Sequence, residues 1–264
     1  MANWDEIKRI KENKALVIAE KKSAMKMADS CDFDIMHINS KGEAVKAESD
    51  ESTDLTKITA RVVINTTNLI DSHCDCHIPG IWNKTLKENK SPYHIQEHQM
   101  KFDHVISDQV TASVKTMSWA ALGQPFEGNT QALIFDSIIE QERNEYMFKQ
   151  YMKGWVRNHS VGMRYVNLFL CINSEERYYQ EEKDNWDKYI PQVANKSVAE
   201  ELGYFWAVTE AKLIEGSAVP IGSNYATPTI SVKSEPSTDT QKDSREGTID
   251  KDEFIQFLKS NLNN

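Results

Sequence analysis

Apolar and polar positions alternate over residues 57–69, with Ile58, Ala60, Val62 and Ile64 on one face and Thr59, Arg61 and Val63 on the other. The alternation and the β-branched content predict a strand. Shorter extended runs are expected at 91–102, with His94, Gln96 and His98 on one face, and at 109–119. A glycine-containing loop then leads into the longest patterned stretch of the chain. Across residues 131–158, Phe135, Ile138, Ile139, Tyr146 and Met147 recur with a helical period, which predicts one long amphipathic helix. Two more strands are expected, at 161–170 and 205–219, separated by a strongly charged segment that reads as helical. Gly162 stands two residues past Ser160, at the start of the first of these strands, where it lets the backbone turn or be approached closely.

The pattern divides the chain into three parts. Residues 1–54 form an N-terminal arm and linker: the arm is lysine-rich with an apolar patch at 15–19, and the linker is polar from Asn39 to Asp54. A basic arm beside an otherwise acidic protein implies an acidic surface elsewhere for it to meet. Residues 55–229 hold the patterned body. In 230–264 a linker poor in apolar residues precedes a short helix, capped by Thr248 or Asp250, whose Phe254, Ile255 and Leu258 share a face. So short a helix is unstable alone and is expected to dock.

A chain of 264 residues can bury one sizeable core. The formal charge of -9 and the pI near 5.4 argue against a direct nucleic-acid role. No apolar run approaches the roughly eighteen residues that a membrane-spanning helix needs. The four cysteines, Cys31, Cys74, Cys76 and Cys171, without a secretory leader, predict a reducing compartment. Cys74 and Cys76, only two apart, are poorly placed to bridge each other.

Two constellations carry candidate chemistry. His73, Cys74, Cys76 and His77, with His94, His98 and His104 downstream, offer thiols and imidazoles of the kind that bind zinc. The turn lacks the C-x-x-C knuckle that presents two sulfurs to one ion, and small half-buried cysteines among ordinary histidines explain it as well. The second constellation spans long separations: His98 on a strand, Ser160 at a strand start and Glu215 within a strand. An imidazole within reach of a hydroxyl, with a carboxylate to fix its tautomer, is the arrangement of general-base catalysis on an alcohol. A serine at such a junction also serves as a cap or turn residue. Glu215, between Ile214 and the run 216–219, is costly to bury unless hydrogen-bonded, and a position facing water explains it equally.

Four motifs in order, DSHCDCHIPGIWNKTL, QEHQ, HSVGMRY and KLIEGSAVPIGSN, span residues 58–229 together with the elements between them. In them the chain resembles the prohead maturation proteases of tailed bacteriophages, which are similar in fold to the herpesvirus assembly protease. The resemblance implies an α+β fold with a small closed or nearly closed β-barrel flanked by helices. It implies a serine endopeptidase without a cofactor that cleaves phage scaffold and major capsid proteins, and itself, inside the procapsid in the cytoplasm of the infected host. A second copy of the chain is a further candidate partner. Residue by residue, His98 matches the catalytic histidine, Ser160 the nucleophile and Glu215 the third member, while the loop Pro220–Ser223 matches the oxyanion-binding segment. Ser217 lies in a second serine motif and is the competing nucleophile. Cys74 and Cys76 depart from the family's turn, and His94 is a competing base. Two other functions stay open: a zinc-containing domain built on residues 73–77, and a non-catalytic capsid or scaffold component that keeps the fold without the chemistry.

Overall fold

Two β-sheets organise the protein, whose computed structural model describes residues 2–25, 55–88 and 91–234. The first is antiparallel, with β1 (Lys57–Thr66) and β6 (Asn129–Glu140) at its centre, and β5 (Gln109–Ser118) and β9 (Thr229–Ser234) at its edges. The second is mixed and is built around β8 (Tyr204–Val219), which pairs antiparallel with β7 (Asn158–Ile172) over nearly its whole length. The other edge of β8 takes two partners in turn, both parallel: β2 (Asp75–His77) near its start and β3 (Tyr93–Gln96) near its end. β3 in turn carries β4 (Val105–Ser107).

The sheets face each other across one core. Gly216 of β8 is so close to β6 and β1 that a Cβ there would lie 2.4 Å from the Phe135 ring and 2.9 Å from Ile64. Val161 and Met163 of β7 enter the same cluster as Leu133 and Phe135 of β6. Neither sheet closes or curls, so the expected closed or nearly closed barrel is not the fold. Closure needs a continuous ladder from β9 onto the second sheet, and among the described residues only the isolated bridge Asn158–Pro228 spans that gap. The architecture is α+β with sheets of mixed topology.

The long helix expected over 131–158 is also corrected: residues 129–140 form β6, and only α4 (Glu145–Met152) is helical. β6 is covered on both faces. Leu133, Phe135 and Ile139 enter the main core, while Ala132 and Ile134 pack with Val63, Leu69, Trp119 and Leu122. A strand buried on both sides loses its period of two and reads as an unbroken apolar run. The expected strand over 57–69 corresponds to β1, and the charged segment before β8 supplies α5 (Gln180–Tyr189) and α6 (Lys196–Leu202). β9 starts at Thr229, the last residue of the expected body, and runs to Ser234. Cys31 and the expected helix with Phe254, Ile255 and Leu258 lie outside the described residues.

The arm forms α1 (Trp4–Glu12) and α2 (Lys14–Ser23) and docks on the body. Ile7 is fully buried, and Gly203 leaves room for Ala2, whose Cβ would sit 2.7 Å from any Cβ at that position. Its lysines meet two buried carboxylates. Lys11 and Lys14 each bond Glu182 of α5 at 2.6 Å, and Lys21 bonds Asp75 of β2, which also accepts the Tyr165 hydroxyl at 2.8 Å. Removing one partner of a buried pair strands the other charge. Lys21→Met should therefore cost about 1–3 kcal/mol, discounted because the ammonium keeps some exposure, and lower the thermal midpoint by several degrees. Lys149→Met, which breaks only an exposed pair with Glu145, should not move it. Equal midpoints for the two variants would show that the arm is not held by charge.

Candidate active site

The end of the second sheet where β3, β7 and β8 meet brings His98, Ser160 and Glu215 onto one face. Opposed residues in an antiparallel pair project to the same side, and the register sets Ser160 opposite Ser217 and Gly162 opposite Glu215. One step further the register slips, with Met163 opposite Leu213, so that Ile214 is the extra residue of a bulge. The bulge reverses the alternation. Leu213, Gly216 and Ala218 turn towards the first sheet, and Glu215 and Ser217 turn away from it. A strict period of two from Leu213 would have aimed Glu215 into the apolar core.

His98 reaches that face by a second device. β3 ends at Gln96, and Glu97 and His98 both adopt left-handed backbone, with φ of 50° and 55°. Such angles cost L residues with a Cβ roughly 1 kcal/mol or more and need support from their surroundings. Here the Glu97 N–H donates to Ala218 O at 3.0 Å and the His98 N–H to Ser217 Oγ at 3.1 Å. The expected common face of His94 and His98 is thus corrected: His94 stays on the core side, paired with Gly216, and His98 is carried to the other.

The resulting contacts are short and buried. His98 Nδ1 lies 2.6 Å from Glu215 Oε1, and the Ser217 hydroxyl donates to Glu215 Oε2 at 2.8 Å. A carboxylate accepts, so a proton sits on Nδ1, which leaves Nε2 as the ring's other polar atom. That Nε2 is buried and has no hydrogen-bond partner among the described residues. Gly162 makes the arrangement sterically feasible, because a Cβ there would lie 1.9 Å from Glu215 Oε1. Ser160 is 5% exposed, and its hydroxyl makes no hydrogen bond to His98 Nε2.

His94, the competing base, belongs to a different network. Its Nδ1 meets Ser137 Oγ at 2.9 Å, its Nε2 meets the Tyr151 hydroxyl at 3.0 Å, and that hydroxyl meets His159 Nε2 at 3.0 Å. His159 Nδ1 faces the Thr227 carbonyl at 3.1 Å and must donate to it, which fixes every other proton in the chain. Ser137 donates to His94, His94 to Tyr151, and Tyr151 to His159. Both imidazoles are neutral and fully used. Burial pushes His94 well below the usual histidine range and His159 down to about 4, the second against the bond to Thr227. Neither Tyr151 nor His159 was singled out from the sequence as a site residue, because the network joins them to His94 on another strand.

The cysteine-histidine turn does not converge on an ion. Cys76 packs with Ile70, Ile78 and Cys171, while His77, on the opposite face of β2, bonds Asn65 at 2.9 Å. Burial pushes the Cys74 thiol up to about 11 and that of Cys76 well above its ordinary value. Among the described residues, no group of three or more His, Cys, Asp or Glu side chains is placed to hold a metal, Cys74, Cys76, His73 and His77 included.

Two outcomes follow from this geometry. Gly162→Ala must displace Glu215, so Gly162→Ala and Glu215→Ala together should cost less stability than the sum of the two alone in urea unfolding. Strict additivity would show that the strand moves aside instead. For His159, the folded pKa is depressed, so the unfolded chain binds the extra proton between about pH 6.5 and about 4. The stability due to its neutral state is complete above 6.5 and lost as the pH falls through that window, by about tenfold in the folding constant per pH unit. The stability lost through His159→Gln should therefore be smaller at pH 5 than at pH 7, and a pH-independent loss would refute the neutral assignment.

No protein-family model, no curated protein and no solved structure matches the chain, so its four motifs and the geometry above are what bear on function.

Proposed function

We propose that the protein is a serine endopeptidase in which Ser160 is the nucleophile, His98 the general base and Glu215 the group that orients the imidazole. One observation carries the reading: a buried histidine whose Nδ1 is held by a buried carboxylate and whose Nε2 has no partner among the described residues, on the same face as a serine of the neighbouring strand. A buried imidazole nitrogen left unbonded is uncommon, and a reacting hydroxyl is a partner that would use it. Contacts of this kind are often long before substrate binds and tighten in the complex.

In the reaction, Ser160 Oγ attacks the scissile carbonyl carbon while Nε2 takes the hydroxyl proton, and the carbonyl π pair moves onto oxygen. The imidazolium is stabilised by Glu215 and returns its proton to the leaving amine as the C–N bond breaks. Water then attacks the acyl-serine with His98 again as base, releasing the acid and restoring Ser160. The loop Pro220–Ser223 packs beside the nucleophile strand, since Gly222 is so close to His159 that a Cβ would lie 2.8 Å from its carbonyl oxygen. Pro220 has no N–H, so Ile221, Gly222 and Ser223 are the backbone donors on offer to the oxyanion. Ser217 is the poorer nucleophile: it is fully buried, and its proton is committed to Glu215 rather than to an imidazole.

The motif resemblance extends the proposal to substrates: phage scaffold and capsid proteins, cut inside the procapsid. The full chain treated with a fluorophosphonate should gain one adduct, located at Ser160 by mass spectrometry. Ser160→Ala should abolish it while keeping the thermal midpoint within a few degrees, and Glu215→Gln should slow labelling by about two to four powers of ten. A wild-type chain that is never labelled, or an adduct that persists in Ser160→Ala, would reject the reading.

A further inference from the structure

We infer that Ser217 is a positioning residue that holds His98 and Glu215 in register with each other. The inference rests on the proposed protease reading for its consequence in catalysis, but not for its geometry. Ser217 Oγ bonds both partners: its proton goes to Glu215 Oε2 at 2.8 Å, and it accepts the backbone N–H of His98 at 3.1 Å. Its side chain is fully buried between them.

Each bond removes a freedom that the pair would otherwise have. Glu215 has two equivalent oxygens and rotates about its terminal torsion. With Oε2 tied to Ser217, Oε1 is the oxygen turned to Nδ1, 2.6 Å away. His98 sits in left-handed backbone, and its N–H, once turned inward, needs an acceptor that the β3 ladder no longer supplies. Ser217 provides it from a strand whose position is fixed on both edges, by β3 and by β7. The ring is therefore aimed from both ends, through its backbone by one bond and through Nδ1 by two in series. Serine suits the task because a hydroxyl donates one proton and accepts at the same oxygen.

The test has one readout that does not depend on activity. In the wild-type full chain, the Nδ1 proton of His98 should give a low-field proton resonance sheltered from water, assigned by its loss in His98→Gln. Ser217→Ala should broaden or remove that resonance while the protein stays folded by its thermal transition. Ser217→Cys, which keeps the volume but donates weakly, should do the same, and Ser217→Thr, which keeps the hydroxyl, should retain it. The second readout is fluorophosphonate labelling of Ser160, resolved into the reversible affinity and the bond-forming rate. Ser217→Ala should lower the bond-forming rate about tenfold to a hundredfold with the affinity unchanged, as expected when a base is misplaced rather than when a binding surface is lost. Ser217→Thr should recover most of it. An unaltered resonance in both Ser217→Ala and Ser217→Cys overturns the positioning role. Loss of the resonance without any labelling of the wild type leaves the positioning role standing and rejects the protease reading.

Discussion

The carboxylate of Glu215 is buried to zero exposure, and the structure at this end of the second sheet follows from what that burial demands. An isolated carboxylate in an apolar medium would take up a proton rather than stay ionised, and it stays there only with donors on its oxygens. Two are supplied, the imidazole of His98 and the hydroxyl of Ser217. Space is supplied by Gly162, whose missing side chain leaves the cross-strand position to the carboxylate itself. The bulge at Ile214 supplies the direction, turning Glu215 out of the apolar core that Leu213 faces. Four separate features of the chain thus meet at one side chain, and no local preference of any one segment explains them.

The two histidines of the β3 region show how little separates an imidazole bonded at both nitrogens from one bonded at a single nitrogen. His94 and His98 are four residues apart, and both are buried. His94 points to the core, where Ser137 and Tyr151 use both of its nitrogens. His98 is thrown to the opposite face by two left-handed residues, meets a carboxylate at one nitrogen and leaves the other unbonded. Hydrogen bonds use both nitrogens of the first, whereas Nε2 of the second has no partner among the described residues. The His94 network still bears on the candidate site, because it ends on Thr227, whose hydroxyl also donates to the His159 carbonyl, directly before Ser160.

Much of this was legible in the sequence, in proportion to how local the cause was. The alternation of Ile58, Ala60, Val62 and Ile64 marks β1, and the place of Glu215 between apolar residues marks a carboxylate in need of partners. The close approach allowed by Gly162 was also open to reading, though not what makes it. Residues 129–140 misled because both of their faces are covered, and burial on two sides erases the periodicity that separates strand from helix. The bulge at Ile214 was invisible because it depends on the register with β7, a relation between segments some fifty residues apart rather than a property of either. For the same reason the motif order suggested a barrel: motifs report strands and turns, whereas closure depends on whether the last strand finds a partner in the other sheet.

Glu215 is one of three carboxylates with zero exposure among the described residues, and the three differ in what meets their oxygens. Glu182 is neutralised by Lys11 and Lys14, and despite the opposing effect of burial these lysines hold it below the usual carboxylate range. Asp75 is met by Lys21 and by the Tyr165 hydroxyl. An ammonium group with its carboxylate is a fixed ion pair near neutral pH, and neither partner has a proton to exchange there, so these pairs can do no more than fasten the N-terminal arm to the body. Glu215 has an imidazole instead. Nδ1 of that ring donates to Glu215 Oε1, and among the described residues Nε2 of the same ring has no hydrogen-bond partner. The same problem, a buried carboxylate, is thus solved with lysine where the N-terminal arm attaches and with an imidazole and a hydroxyl at the candidate site.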